Sequence, residues 1–204
     1  MLKRENINLM PYQWDAINGD THAQQGFLLL KGIYNLKNAV ETGCCLGSTT
    51  EFMAKNFEKV YTAESNNKFL EFAKDRLKDF DNIDYYLGDS PNMIEAIGGS
   101  VGDKTLFFLD AHGFGNSSNP CPLLMELQAI AKCAIRPCIA IHDFMVPDEP
   151  KLGYDTYNKQ PFTFEWIRPY LENIYGVDGY EYYYNSDEKS AGAKRGIIYI
   201  IPKQ

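Results

Sequence analysis

A short stretch near the start of the chain combines a buried strand, a glycine turn and the beginning of a helix. It spans residues 39–50 and reads AVETGCCLGSTT. Its two glycines, Gly43 and Gly47, allow the backbone to bend sharply and to approach a ligand closely. Ser48 or Thr49 is placed to cap the helix that follows. Because open α/β sheets hold their ligands at strand-to-helix turns of this kind, the stretch predicts a nucleotide-type pocket.

Length and composition predict one globular domain. The chain has 204 residues, of which 45% are hydrophobic and 23% charged, and a chain of this size can bury a full core. We expect a single domain over residues 21–204, preceded by an N-terminal extension over residues 1–20. The net charge of -7 disfavours non-specific binding to nucleic acid or to anionic lipid.

Cysteine usage and the N-terminus predict a cytoplasmic location. The five cysteines are odd in number and form no CxxC pair, so neither a zinc knuckle nor a disulfide framework is indicated. Reduced thiols are typical of cytosolic proteins. The N-terminus lacks the apolar core of a signal peptide, and no apolar run approaches the roughly 20 residues that cross a bilayer.

Strand and helix patterns alternate along the chain. Helices are predicted over residues 21–36, 48–56, 67–78, 90–97, 123–135 and 162–175, and strands over 38–42, 59–64, 83–89, 105–110, 138–143, 180–184 and 196–201. Alternation of this kind predicts an α/β, Rossmann-like fold with a doubly wound, mainly parallel, seven-stranded sheet. The last two strands are too close in sequence for a crossover helix, so they should form an antiparallel C-terminal pair.

Acidic residues lie at or next to the carboxyl ends of five of the predicted strands. They are Glu41, Glu64, Asp89, Asp110 and Asp143. The carboxyl ends of parallel strands lie at one edge of a sheet, where ligands bind. We therefore expect these side chains to share one edge, with the long segment 145–161 serving as a lid or wall.

With these motifs in place, the sequence resembles the class I S-adenosylmethionine-dependent methyltransferases over most of residues 22–201. The turn Glu41-Thr42-Gly43-Cys44-Cys45-Leu46-Gly47 is similar to that family's acid-x-G-x-x-x-G motif. The resemblance implies that this turn wraps the methionine part of the cofactor. It also implies that Glu64 accepts hydrogen bonds from the ribose hydroxyls, that Asp89 lies near the adenine amino group, and that the C-terminal hairpin supplies the antiparallel strand of the fold. The predicted cofactor-binding residues are Glu41, Thr42, Gly43, Gly47, Ser48, Glu64, Ser65, Asp89, Ser90 and Asp110.

Two polar pairs end the fourth and fifth predicted strands, Asp110-Ala111-His112 and His142-Asp143. Residues two apart on an extended segment face the same side, so Asp110 and His112 can both face the pocket. The pairs resemble those of metal-dependent O-methyltransferases that act on catechols and sugars. This resemblance implies Asp110, His112 and Asp143 as catalytic residues, with His112 as candidate base, and Asp110, His142 and Asp143 as metal ligands. Because nitrogen is a poorer ligand for Mg²⁺ than oxygen, Mg²⁺, a softer divalent ion, and no metal with a histidine base all stay open.

The leading hypothesis is an S-adenosylmethionine-dependent methyltransferase acting on a sugar or other small-molecule hydroxyl. A first alternative is a protein that binds S-adenosylmethionine but has lost the chemistry. A nicotinamide-dependent oxidoreductase ranks last, because the turn lacks G-x-G-x-x-G and Glu41 would face a pyrophosphate. The expected partner is a small-molecule acceptor, with no nucleic acid and no membrane, and assembly into a homo-oligomer is left open.

Overall fold

The computed structural model describes residues 15–112 and 121–203. Its helices are α1 Thr21–Tyr34, α2 Ser48–Asn56, α3 Asn67–Arg76, α4 Ser90–Ile97, α5 Leu123–Lys132 and α6 Phe164–Tyr175. Its strands are β1 Asn38–Thr42, β2 Lys59–Glu64, β3 Ile83–Leu87, β4 Thr105–Leu109, β5 Cys138–His142, β6 Thr156–Tyr157, β7 Gln160–Pro161, β8 Tyr180–Tyr184 and β9 Ile197–Pro202. Every predicted helix and strand is present, five of them with the predicted ends and the others with ends shifted by one to three residues. The strands β6 and β7 add a small hairpin inside the segment 145–161.

Seven of the strands form one sheet in the order β3-β2-β1-β4-β5-β9-β8. Neighbouring strands from β3 to β5 pair in parallel, whereas β9 runs antiparallel to both β5 and β8. The predicted Rossmann-like, mainly parallel sheet with an antiparallel C-terminal strand is confirmed. The chain winds outward from β1 through β2 to β3 and then crosses back to β4. The switch point between the two halves therefore lies between β1 and β4, where ligands bind in such sheets.

Helices cover both faces of the sheet, and β4 shows why. All five of its residues are buried. Leu106 and Phe108 belong to the core shared with α1 and α2, while Phe107 and Leu109 belong to the core shared with α4, α5 and α6. Successive side chains of a strand point to opposite faces, so a strand buried on both sides is apolar on both faces, as residues 106–109 of β4 are.

Part of the predicted N-terminal extension packs onto the domain. Ile17 is buried in the core under α1, and its main-chain N–H donates to Thr49 Oγ1 at 2.9 Å. Asp20 caps α1 by accepting hydrogen bonds from the main-chain N–H groups of His22 and Ala23, each at 3.0 Å. The expectation for residues 1–14 lies outside the described residues.

The predicted cap of α2 is wrong. The N-cap is Gly47, in the left-handed region at φ 78°, and no side chain caps the helix. Ser48 is the first helical residue instead, and its hydroxyl accepts a hydrogen bond from Arg76 at 2.9 Å.

Within the described residues, none of the helices has the length and apolar character needed to cross a membrane.

Candidate active site

The glycine turn lies directly against the end of β4. Gly43 and Gly47 both have positive φ, 81° and 78°, which is a conformation that favours glycine. A Cβ added to Gly43 would lie 2.9 Å from the carbonyl oxygen of Asp110 and 3.0 Å from the Cα of Ala111. Thr42 joins the same two strand ends, because its Oγ1 accepts the main-chain N–H of Asp110 at 3.0 Å. The two predicted motifs therefore form one site at the switch point.

Replacing Gly43 by alanine is expected to weaken both folding and cofactor binding. The left-handed backbone alone costs an L-residue about 1–2 kcal/mol, and the added methyl group meets main-chain atoms that cannot turn aside. Urea unfolding and calorimetric titration with S-adenosylhomocysteine measure the two losses. Gly102→Ala is the matched control, since a Cβ there meets nothing within 4 Å. Equal stability and affinity in Gly43→Ala and Gly102→Ala would contradict the close packing of this turn.

Glu41 supports the turn from inside the protein. Its side chain is buried, and its Oε2 accepts hydrogen bonds from Thr50 Oγ1 at 2.5 Å and Thr62 Oγ1 at 2.7 Å. Burial raises the pKa of Glu41 to about 7, although the two hydroxyl groups oppose the shift. The carboxyl therefore links β1, β2 and α2, and its direct contact with a cofactor stays a prediction.

Glu64 lies at the end of β2, where its carboxylate faces the glycine turn. Its Oε2 accepts the main-chain N–H of Cys45 at 2.9 Å, and its Oε1 accepts that of Asn66 at 2.8 Å. Each carboxylate oxygen has a further lone pair, so both remain able to accept from a vicinal diol. Ser65 and Asp89 are exposed at the ends of β2 and β3, which leaves them free to meet a ligand at this edge.

Ser90 is the first residue of α4 and does not cap the helix. The N-cap is Asp89, without a side-chain hydrogen bond, and the buried Ser90 hydroxyl donates to Glu126 Oε1 instead. Glu126 is itself fully buried on α5. Burial raises the pKa of Glu126, while the hydroxyl groups of Ser90 and Thr42 lower it. Ser90 thus links α4 to α5 through its hydrogen bond to Glu126, and its contact with a cofactor stays a prediction.

Asp110, His142 and Asp143 converge at the ends of β4 and β5. His142 Nδ1 lies 3.1 Å from Asp110 Oδ1 and 3.3 Å from Asp143 Oδ1. One ligand atom from each of the three residues lies within 4.8 Å of the others. Asp143 has φ 57°, so the chain turns sharply here, directly after β5.

Electrostatic attraction within this cluster stabilises the protonated form of His142 and the ionised form of Asp143. Burial alone would lower the pKa of His142, but the carboxylates of Asp110 and Asp143 outweigh it and raise the pKa well above 6.5. Burial would likewise raise the pKa of Asp143, but His142, His112 and Arg195 together hold it below its ordinary value. Asp143 is therefore an anion throughout the neutral range.

His112 extends the cluster toward α6. Its Nε2 lies 2.9 Å from the carbonyl oxygen of His142, 3.8 Å from Asp143 Oδ2 and 4.0 Å from Asp110 Oδ1. A carbonyl oxygen only accepts hydrogen bonds, so Nε2 carries the hydrogen and Nδ1 keeps the lone pair. That Nδ1 is buried without a hydrogen-bond partner among the described residues. The ring packs edge-on against Phe162, with centroids 4.8 Å apart, so the segment just before α6 holds its plane.

The donor set of this cluster fits a divalent cation. Two carboxylates and one imidazole are ligands that suit Mn²⁺, Fe²⁺ or Zn²⁺ better than Mg²⁺. The two carboxylates that hold a proton on His142 would attract a metal ion for the same reason. Binding would replace the hydrogen on Nδ1, since a metal ligand must be deprotonated.

Several residues of the site have no motif in the sequence. Thr50 and Thr62 hold Glu41, Glu126 holds Ser90, and Arg195 pairs with Asp143. Of these residues, only the position of Thr62 could have been predicted. It is the register partner of Glu41 on the neighbouring parallel strand, so pairing β1 with β2 would place the two side by side.

Solved structures similar to this one include several methyltransferases, all with little sequence identity to this chain. An O-methyltransferase from Bacillus cereus, in complex with SAH, gives a TM-score of 0.56 at 17% identity and covers 96% of this chain and 83% of its own. The O-methyltransferase TomG from Streptomyces achromogenes, involved in tomaymycin synthesis and in complex with SAM, gives 0.58 at 13% identity, covering 89% and 80%. An rRNA methylase from Streptococcus thermophilus gives 0.54 at 18% identity, covering 90% and 96%. No protein-family model matches the sequence, and no curated protein matches it.

These similarities identify the class of fold. The sheet order, the antiparallel β9 and the glycine turn after β1 are those of a class I S-adenosylmethionine-dependent methyltransferase fold.

Proposed function

We propose that this protein is an S-adenosylmethionine-dependent methyltransferase that methylates a hydroxyl group of a sugar or other small molecule. One observation carries the proposal: the glycine turn packs against Asp110, which places a cofactor-type turn and a carboxylate–imidazole cluster side by side. Neighbours of the same fold that carry SAM or SAH support the choice of cofactor.

The cofactor would lie across the ends of β1 and β2. Gly43 and Gly47 allow main-chain groups to meet its methionine part, and Glu64 would accept hydrogen bonds from both ribose hydroxyls. Asp89, at the end of β3, would face the adenine. The glycine turn lacks the G-x-G-x-x-G pattern of dinucleotide-binding folds, which argues against a nicotinamide cofactor.

The reaction would be an in-line displacement in which positioning does much of the work. The acceptor oxygen forms a bond to the methyl carbon while the carbon–sulfur bond breaks, its electron pair passing to sulfur and yielding S-adenosylhomocysteine. The acceptor proton would pass to His112 Nδ1, the nitrogen that keeps its lone pair. Asp110 and Asp143 lie within 4.0 Å of the other ring nitrogen and would stabilise the resulting imidazolium.

A divalent cation would be held by Asp110, His142 and Asp143, whose ligand atoms converge. When bound, it would lower the pKa of the acceptor hydroxyl and so ease the loss of its proton. The chemistry of the three ligands favours a softer ion than Mg²⁺.

The segment 145–161 would form the acceptor wall. It starts beside Asp143, carries the exposed Tyr154 and is closed by the β6–β7 hairpin. A net charge of -7 disfavours a nucleic acid as the acceptor, although one structural neighbour is an rRNA methylase. We place the protein in the cytoplasm on its cysteine usage, and assembly into a homo-oligomer is left open.

Calorimetric titration with S-adenosylmethionine and with NADH tests the cofactor. Binding of S-adenosylmethionine in the micromolar range without binding of NADH is expected, and the reverse would overturn the proposal. A panel of catechols, sugars and hydroxylated metabolites, assayed for S-adenosylhomocysteine release with Mn²⁺ or Mg²⁺ present, then tests transfer. Binding of the cofactor with no turnover on any acceptor would favour the alternative of a binding protein.

A further inference from the structure

Arg195 joins the candidate cation site to the acceptor wall. Its Nε donates to Asp143 Oδ1, and its Nη2 donates to Asp155 Oδ1 in the segment 145–161. The side chains of all three residues are largely buried. One planar guanidinium thus holds two carboxylates at once, in the geometry for which arginine is suited and lysine is not.

The main chain fixes this arrangement from both sides. Asp155 donates its N–H to the carbonyl oxygen of Asp143 at 2.8 Å, and Gly196 donates to the carbonyl oxygen of Gly153 at 2.9 Å. Gly153 and Arg195 form a β-bridge. A Cβ on Gly153 would lie 2.6 Å from Arg195 Nη1, so the guanidinium occupies the space that a side chain would need.

The charges of Arg195 and Asp155 cancel. An unbalanced arginine beside Asp143 would repel a cation, because two charges a few ångströms apart interact strongly in a partly buried site. With Asp155 on its other side, the guanidinium orients Asp143 and leaves the net negative charge of Asp110 and Asp143 in place. Groups that orient metal ligands in this way strongly affect metal affinity.

We propose that Arg195 and Asp155 form a charge-balanced clamp that holds Asp143 in the orientation in which it binds a divalent cation together with Asp110 and His142. Arg195 is a positioning residue in this proposal, since it acts through its hydrogen bond to Asp143. The inference rests on the proposed function, in which these three residues hold the cation. The clamp also connects the cation site to the segment 145–161, because Arg195 bonds both Asp143 and Asp155.

Titration of the full chain with MnCl₂, followed by the electron paramagnetic resonance signal of free Mn²⁺, tests the clamp without an activity assay. Arg195→Lys keeps the charge but cannot reach both carboxylates in a fork, and we expect its Mn²⁺ affinity to fall by about 10-fold or more. Lys194→Arg is the matched control. Lys194 is next to Arg195 in the chain and its exposed side chain pairs with Asp187. Its replacement should leave Mn²⁺ affinity within about twofold.

Equal or tighter Mn²⁺ binding by Arg195→Lys would overturn the clamp, and so would an absence of Mn²⁺ binding by the wild-type chain. Titration of the same samples with S-adenosylmethionine separates these results from a failure of the proposed function, which would abolish cofactor binding. Should Arg195→Lys fail to fold by circular dichroism, the double variant Arg195→Met/Asp155→Asn removes the clamp with no change of net charge. The same loss of Mn²⁺ affinity is expected there, and unchanged affinity would overturn the proposal.

Discussion

Replacing Asp110 by asparagine is expected to lower kcat for methyl transfer by about 100-fold or more while leaving the Kd for S-adenosylmethionine within about threefold. The carboxylate lies 3.1 Å from His142 Nδ1 and 4.0 Å from His112 Nε2. Asparagine keeps the shape but removes the charge, so it withdraws both a cation ligand and a counter-charge to the imidazolium. The cofactor turn contacts the main chain of Asp110, which the substitution does not alter, and its affinity should therefore survive.

Initial rates with the acceptor found by the panel, and calorimetric titration with S-adenosylmethionine, measure the two quantities. Asp84→Asn is the matched control, because Asp84 pairs with Lys59 near the start of β3, away from the site. It should retain wild-type kcat. A kcat for Asp110→Asn that equals that of Asp84→Asn would remove Asp110 from the catalytic machinery.

The fold was predictable because its strands carry strong local signals. Residues 106–109 are apolar without interruption, as only a strand covered on both faces needs to be, and the glycine turn marks the end of β1. Element ends were less predictable. Gly47 ends the turn in the left-handed region and serves as the N-cap itself, so the serine and threonine after it, which are typical caps, lie inside the helix.

The candidate site was predictable to the extent that it lies at strand ends. Asp110, His142 and Asp143 follow or end two strands that proved adjacent, and the topology alone brings them together. Arg195 was not predictable in this way. It approaches Asp143 because β9 pairs with β5, with His142 opposite Ile197, and that pairing depends on the whole order of the sheet. Glu126 likewise reaches Ser90 only through the packing of α5 against α4.

Replacing Glu41 by glutamine is expected to remove a large part of the pH dependence of stability. The pKa of Glu41 is raised from 4.5 to about 7, mainly by burial. The folded chain therefore holds this proton more tightly than the unfolded chain does. The free energy of unfolding should then fall as pH rises between these two values, because the buried group must ionise at a cost. Between pH 5 and pH 8 the loss from this one carboxyl is about 2–3 kcal/mol.

Urea unfolding of both proteins at pH 5 and pH 8 measures this difference. In Glu41→Gln the amide oxygen can still accept from Thr50 and Thr62, so the fold should persist while the titration disappears. The raised pKa values of Glu126 and His142 act in the same direction, but they are present in both proteins and cancel in the comparison. Glu71→Gln, an exposed change of the same charge, should follow the wild-type curve. If Glu41→Gln followed it as well, the Glu41 carboxyl would have to be ionised throughout this range, and the turn would be built around a buried anion able to face a sulfonium directly.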